Sequence, residues 1–341
     1  MKEVYFYKKL DAGKVQCQVC AHYCSILPGK RGICGVRENR GGTLYALNYG
    51  KIATQHVDPI EKKPFFHFLP GSPTYSFASI GCNFVCQNCQ NWDIAQFPKI
   101  HAHGQIIGEN STPEDIVSRA KMDGCPSIAY TYTEPTIFLE FALDTMKLAK
   151  SAGLKNIFVS NGFMSPESAK AVLPYLDANN IDLKGFSDDF YRKNCGAKLQ
   201  PVLETAKLMK KSGVWVEITT LLIPGFSDSE EMLRGIGRFI FSELGAETPW
   251  HLTQFCGAVS WRLQYLSDTP LETLKRAWKI GKAIGLKYVY TGNAPGVEFE
   301  STICPKKKCE TLCIKRYGYS IRRNDKKGKC PKCGTKLNII G

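Results

Sequence analysis

From residue 74 onward, seven short apolar runs alternate with six stretches of helical periodicity, and that alternation admits very few folds. The runs read as strands over Tyr75–Ile80, Ser127–Tyr132, Lys155–Ser160, Asn180–Leu183, Val214–Leu222, Trp250–Gln254 and Leu286–Thr291. Helices are expected over Pro113–Met122, Ile137–Ser151, Pro166–Ala178, Pro201–Ser212, Asp228–Leu244 and Leu271–Ile284. Three of these open on a cap: Ser111 or Thr112 before Pro113, Ser165 before Pro166, and Asp268 or Thr269 before Pro270. Such a βα succession implies a parallel sheet, either a complete or partial barrel or a doubly wound sheet. In both geometries ligands meet the residues just beyond the carboxyl ends of the strands.

The first strand runs into Ser79-Ile-Gly-Cys-Asn-Phe-Val-Cys-Gln-Asn-Cys-Gln-Asn-Trp92, a CxxxCxxC array of Cys82, Cys86 and Cys89. Three thiolates hold three irons of a [4Fe–4S] cube and leave the fourth iron open to a substrate or cosubstrate. Zinc in a closed site prefers four ligands, usually spaced as C-x2-C pairs, so a zinc knuckle fits this spacing poorly. The run Gly81-Cys-Asn-Phe-Val-Cys-Gln-Asn-Cys-Gln-Asn91 resembles the cluster loop of radical SAM enzymes. The subgroup it resembles lies near the pyruvate formate-lyase activating enzymes, the AmmeMemoRadiSam system radical SAM enzymes. Asp58–Gly71 and Tyr290–Gly296 resemble the same subgroup. The resemblance implies a partial (β/α)6 TIM-type barrel, S-adenosylmethionine as cosubstrate, and its reductive cleavage to a 5′-deoxyadenosyl radical that takes hydrogen from an unassigned substrate.

Residue roles follow from the same resemblance. Glu134, in Thr131-Tyr-Thr-Glu-Pro-Thr136, matches the carboxylate that accepts from the cosubstrate amine; read by itself, it is an acid at a helix N-terminus. Lys184 resembles the lysine that meets the cosubstrate carboxylate, and His251 a histidine in contact with the cosubstrate, although a lone histidine in a strand is more often a satisfied core residue. Asp182 matches an acid that helps hold a monovalent cation, while a second cation-binding acid is replaced by Val159. Asn161, before Gly162, is placed to fix ribose or carboxylate, or is half of an ordinary turn pair. Asn88 stands where many relatives carry an aromatic, which leaves the adenine contact to backbone or to Trp92. No residue is assigned a catalytic role.

On either side of the alternating region lie cysteine-rich segments, and three units are expected: 1–73, 74–298 and 299–341. Cys17, Cys20, Cys24 and Cys34 read C-x2-C-x3-C-x9-C among turn-forming glycines, a metal-stapled module too small to bury a core alone. Structural zinc is the first reading there, with His22 a substitute ligand and a second iron–sulfur cluster the rival. Residues 43–53 suggest a hairpin turning at Asn48-Tyr-Gly50. Asp58–Gly71, with three prolines, is an ordered loop whose polar groups Lys63 and His67 either position substrate or pack a connector. The tail pairs Cys304 and Cys309 with Cys330 and Cys333 as a zinc ribbon; Cys313 competes for the place of Cys309. Cys125, Cys195 and Cys256 stand alone as free thiols, and no metal is expected at His101 and His103.

Of a net charge of +14, residues 301–341 carry twelve Lys or Arg against Glu310 and Asp325. A basic surface suits an acidic electron donor such as a reduced ferredoxin or flavodoxin, whereas nucleic-acid binding is the minority reading. Met1–Lys9 lacks a signal-peptide h-region and no apolar run is long enough to span a bilayer, so a cytoplasmic protein with no membrane partner is expected; fifteen cysteines at metal spacings imply a reducing compartment. Two rivals remain open. One is a glycyl-radical activating enzyme with a protein substrate, and the other a non-catalytic zinc and RNA-binding adaptor built on the basic ribbon.

Overall fold

The computed structural model describes residues 1–101, 105–294 and 298–341. His103 and part of Tyr290–Gly296 lie outside the described residues. The centre of the molecule is one eight-stranded sheet. Its strands are β1 (Thr54–Pro59), β2 (Pro73–Ala78), β3 (Ser127–Tyr130), β4 (Lys155–Ser160), β5 (Ala178–Asp182), β6 (Trp215–Leu222), β7 (Trp250–Gln254) and β8 (Val289–Gly292). β2 to β8 are parallel and neighbour one another in chain order, while β1 pairs antiparallel with β2 at the edge. Each crossover carries a helix: α1 (Pro113–Met122), α2 (Leu139–Ser151), α3 (Pro166–Val172), α4 (Gln200–Lys211), α5 (Glu230–Phe239) and α6 (Leu271–Ile284). This is the partial barrel of six βα units, with a seventh parallel strand closing the series.

Local chemistry accounts for most of the boundaries. Thr112 and Asp115 form a reciprocal capping box at α1, and the Ser165 side chain accepts from the Ser168 amide at α3. At α6 the expected cap is not made. Pro270 is the N-cap, Asp268 accepts instead from the Gly257 amide, and the Thr269 hydroxyl joins Leu222 and Phe255. α3 stops at Val172 rather than running to Ala178, because Pro174 disfavours helix at the residue before it and cannot donate within one; Ala178 opens β5. Residues 43–53 do turn at 47–50, but their arms do not pair with each other: Thr43–Ala46 pairs with Arg37–Arg40 and Lys51–Ile52 with Glu109–Asn110.

Inward-facing side chains of β2 to β8 do not meet across an empty barrel, because residues 60–71 fill part of it. Ile60, Phe65 and Phe68 pack on Ala129, Ile157 and Ala178, and Phe66 on Tyr288 and Tyr290. The plug is fastened by Glu217 in β6, whose two carboxylate oxygens accept from the Phe66 and His67 amides at 3.1 and 3.0 Å. Lys63 is buried against Asp58 at 2.7 Å and lies over the Tyr132 ring, and burial lowers its ammonium to about 8. Both polar groups of the loop, Lys63 and His67, are therefore engaged within the protein.

The flanking segments pack on the barrel from two sides. Before β1 the chain forms small antiparallel sheets anchored by a buried ion pair of Arg37 with Glu140 of α2 at 2.9 Å. After β8, strands Thr302–Ile303, Leu312–Tyr317 and Ser320–Arg323 make a three-stranded sheet, and Arg316 reaches from it to donate to the Phe66 carbonyl at 2.7 Å. No helix among the described residues is long and apolar enough to cross a membrane.

Candidate functional site

The loop that follows β2 is built from the backbone outward. Gly81 has φ +100°, and a Cβ there would lie 2.8 Å from Val36 and 3.1 Å from the Cys34 carbonyl, so only glycine lets the loop lie against the N-terminal module. Beyond it, the Val85 and Gln87 amides donate to the Cys195 and Asn194 carbonyls, and the Gln87 carbonyl accepts from the Arg262 amide. Gln96 and Lys99 both donate to the Phe84 carbonyl. The backbone around Cys82, Cys86 and Cys89 is thus fixed from three directions. The Phe84 amide points at the Cys82 sulfur at 3.4 Å, and the Asn91 amide at that of Cys89.

Burial pushes the Cys82 and Cys89 thiols above their ordinary range, Cys89 to about 12, and the hydrogen bond with Cys195, then burial, does the same to Cys86, while Lys99 stands near them with its own ammonium lowered by burial. None forms a disulfide. Three largely enclosed sulfurs on one loop, two of them faced by backbone amides, with Lys99 and Lys184 nearby, suit a cationic metal cluster that holds them as thiolates, so the residues present fit the cluster expected from the spacing.

The strand ends β3 to β5 border this loop. Glu134 is buried, and its Oε1 accepts from the Thr136 amide (3.1 Å), the Thr136 hydroxyl (2.5 Å) and Ser160 (2.9 Å). Its Oε2 accepts only the Asn161 amide at 2.7 Å, which leaves a lone pair free on that oxygen. Burial raises this carboxyl despite those bonds. The Asn161 side chain is turned toward the loop: Nδ2 donates to Asn83 at 2.8 Å and lies 4.0 Å from the Cys82 sulfur, while Oδ1 accepts from the Phe163 amide. At β5, Lys184 Nζ meets Asp182 at 2.8 Å. Burial opposes the Lys184 charge, but Asp182 and the Cys86 and Cys195 sulfurs outweigh it and hold the ammonium well above its usual range.

His251 is placed differently. It shares a register row with Asp182, Thr219 and Tyr290, but its Nε2 is 2.7 Å from Glu217 and its ring packs on Phe66 and Tyr290. It is bound to the plug rather than to the cysteine loop. Burial penalises the Glu217 charge, yet His251, His67 and Trp215 hold that carboxyl below its ordinary range. Trp92, at the start of a short helix, remains over a third exposed.

Lys99 and Asn83 belong to the site without having been singled out from the sequence, and so does Cys195, which was read there only as an isolated free thiol. Cys195 reaches Cys86 to within hydrogen-bonding distance. Only Asn83 carried a signal, its place inside the CxxxCxxC array; Lys99 and Cys195 arrive through tertiary contacts.

At the other end of the chain, the Cys304, Cys309, Cys330 and Cys333 sulfurs lie within 4.8 Å of one another, with pairs at 3.4, 3.5 and 3.7 Å. Cys313 stays outside the set, its thiol directed to the Thr311 carbonyl. In the N-terminal module, Cys17, Cys20, Cys24 and Cys34 line one cavity together with His22, whose Nε2 donates to the Asn83 carbonyl at 2.8 Å.

A family model described as the radical SAM superfamily matches residues 78–235, the stretch from the end of β2 into α5. The uncharacterized protein MJ0808 of Methanocaldococcus jannaschii is 46% identical over the full length of both chains. Pyruvate formate-lyase 1-activating enzyme of Escherichia coli is 25% identical over 165 residues, 47% of this chain and 65% of that enzyme. Among solved structures, a radical SAM methyltransferase from Sphaerobacter thermophilus superposes with a TM-score of 0.51 at 15% identity, over 67% of this chain and 68% of that one, which is a likeness of fold.

Proposed function

The chain belongs to the radical SAM superfamily, and from that premise we propose that it cleaves S-adenosylmethionine reductively at a [4Fe–4S] cluster held by Cys82, Cys86 and Cys89 and uses the product radical for hydrogen abstraction. When bound, such a cluster supplies one electron to the cosubstrate sulfonium, releasing methionine and a 5′-deoxyadenosyl radical. The carrying observation is the convergence of the cysteine loop after β2 with Glu134 beyond β3 and Lys184 beyond β5.

In this reading the free lone pair of Glu134 Oε2 accepts from the cosubstrate amine, its other oxygen being fully occupied. Lys184, oriented by Asp182, meets the carboxylate and offsets the charge of the thiolates. Asn161 acts on the protein side by holding Asn83 and hence the loop, and His251 borders the cosubstrate space from the plug. The plug keeps water out of the barrel's interior, which protects a reactive radical. The units 1–73, 74–298 and 299–341 then divide into an N-terminal cysteine module with the plug, the radical SAM core, and a ribbon in which Cys304, Cys309, Cys330 and Cys333 bind zinc at the sulfur spacing of a tetrahedral site. A reduced ferredoxin or flavodoxin supplies the electron.

Similarity to an activating enzyme favours, as a second reading, a protein substrate that acquires a glycyl radical. Anaerobically reconstituted, dithionite-reduced protein should form 5′-deoxyadenosine and methionine, and Cys82→Ala, Cys86→Ala and Cys89→Ala together should abolish both. No deoxyadenosine from fully reconstituted wild type would overturn the assignment. Deoxyadenosine without a protein radical in any partner would leave the first reading and remove the second.

A further inference from the structure

The two flanking cysteine sets differ in the distance between their sulfurs. Zinc bonded to sulfur at ~2.3 Å places its four ligands about 3.8 Å apart, and three pairs of the C-terminal sulfurs stand at 3.4 to 3.7 Å, with all four within 4.8 Å of one another. Among the described residues no other group of three or more possible ligands has its atoms all within 4.8 Å. Cys17, Cys20, Cys24 and Cys34 therefore surround a wider space, and they share one cavity whose remaining walls include Val19, Ile26 and Ile137. None is in a disulfide. A four-iron cube binds one cysteine at each iron corner and so spreads its sulfurs farther apart than a single metal ion does.

The backbone agrees with this. The Val19 amide is directed at the Cys17 sulfur and the His22 amide at that of Cys20, each two residues on, and the Ile33 amide is directed at Cys24. The same two-residue pattern serves Cys82 through Phe84 and Cys89 through Asn91. Amides aimed at sulfur stabilise iron-bound thiolates and set their potential. Between the two sets the path is short: the His22 amide faces Cys20, His22 Nε2 donates to the Asn83 carbonyl, and Asn83 is joined to Cys82 by one peptide bond. Of the residues that line the cavity, Ile33 is half exposed.

We propose that Cys17, Cys20, Cys24 and Cys34 hold a second, fully ligated [4Fe–4S] cluster, which takes one electron from a reduced ferredoxin- or flavodoxin-type protein at the Ile33 surface and passes it through His22 and Asn83 toward the Cys82 loop. With four cysteines it has no open iron and binds no substrate. The donor is oxidised by one electron, and the second cluster is reduced and then reoxidised as the barrel site takes that electron. The cluster assignment stands by itself; the relay rests on the proposed function of the barrel site.

The experiment uses full-length protein reconstituted anaerobically, with iron, sulfide and zinc counted and the reduced state followed by electron paramagnetic resonance. The variant with Cys82, Cys86 and Cys89 all changed to Ala should keep about four irons and four sulfides, with a reduced signal that S-adenosylmethionine does not alter. Cys20→Ser with Cys24→Ser should lose about four irons and keep the signal that S-adenosylmethionine alters. In both, one retained zinc per chain reports that the fold survives. A triple variant with no iron and a second zinc would overturn the cluster. So would a Cys20/Cys24 variant with the full iron content of wild type. For the relay, reduced flavodoxin should no longer reduce the barrel site of the Cys20/Cys24 variant while dithionite still does; an unchanged rate with flavodoxin overturns it. A wild type whose signals ignore S-adenosylmethionine counts against the barrel reading alone, because iron in the triple variant still decides this one.

Discussion

His67 holds one protonation state by geometry. Its Nδ1 lies 3.1 Å from the Leu337 carbonyl and 3.3 Å from that of Asn338, which only accept, so Nδ1 carries the proton and Nε2 accepts from Tyr290 at 2.6 Å. Burial, with Arg316 and His251 nearby, pulls this imidazole down to about 4 even though Glu217 opposes the shift. An unfolded chain protonates the same side chain near 6.5. Between those values the unfolded state binds the extra proton, so stability is full above about pH 6.5 and falls as the pH drops toward about 4. The fall in thermal midpoint from pH 7 to pH 5 should be smaller in His67→Gln than in wild type, by the equivalent of about 2 kcal/mol. Equal falls would refute this account. His67 also marks a limit of legibility. Its loop was visible as ordered from its prolines, but whether it faced substrate or packing depended on Glu217, Tyr290 and Leu337, all more than a hundred residues away. The positions of Glu134 and Lys184 were legible for the opposite reason, since each stands just past a strand that periodicity had already located, while their roles came from the family resemblance alone. The spare lone pair of Glu134 was not, because it depends on how many donors Thr136, Ser160 and Asn161 bring.

At the scale of elements, the strands of the barrel were readable because both faces of a parallel sheet are buried and most strands are rich in apolar residues between polar turns. Even so, β5 (Ala178–Asp182) carries two asparagines and an aspartate, and β6 and β7 carry Glu217 and His251. β4 and β7, with α1 and α6, have the expected limits, whereas α3 ends early at a proline inside an apolar stretch that keeps helical spacing. Invisible from sequence was the seating of the cluster loop on the N-terminal module, since the residue responsible, Gly81, has no side chain to show a preference. Gly81→Ala forces an unfavourable φ and a clash with the Val36 methyl, on a short and fully buried side chain, and with the Cys34 backbone carbonyl. The expected cost is about 2–4 kcal/mol, together with a lower iron content after reconstitution. Gly124, at φ +64° with nothing within 4 Å, is the matched control, and its change to Ala should cost only about 1–2 kcal/mol. Equal losses of stability at the two positions, measured as thermal midpoints, would show that backbone strain alone matters and that the loop is not held by this contact.

For the whole molecule, the C-terminal segment is a second attachment of the plug, beside Glu217. Ile340 exchanges backbone hydrogen bonds with His67 and Leu69, Arg316 donates to the Phe66 carbonyl, and Arg316 stacks over the Phe66 ring with its centre 4.2 Å away. Arg316 lies between the two cysteine pairs and Ile340 just beyond the second, so a metal that closed the set would fix the chain that carries both contacts. A module of this size does not bury enough apolar surface to fold without such a staple, and a structural zinc contributes its binding energy to folding. Its basic composition, legible from the start as twelve cations in the last 41 residues, therefore describes an outer face, while one of those cations, Arg316, is buried under the barrel. Cys330→Ser with Cys333→Ser should abolish zinc binding and lower the thermal midpoint by roughly 5 °C or more. If the ribbon retains the plug, limited proteolysis should then cut within residues 60–71, which are protected in wild type, and S-adenosylmethionine cleavage should fall while the iron at the Cys82 loop stays. Cleavage confined to residues 299–341, with residues 60–71 still protected, would mean that the barrel's own contacts, Glu217, Asn180 and the apolar packing, suffice to hold the plug and that the C-terminal segment is an independent attachment.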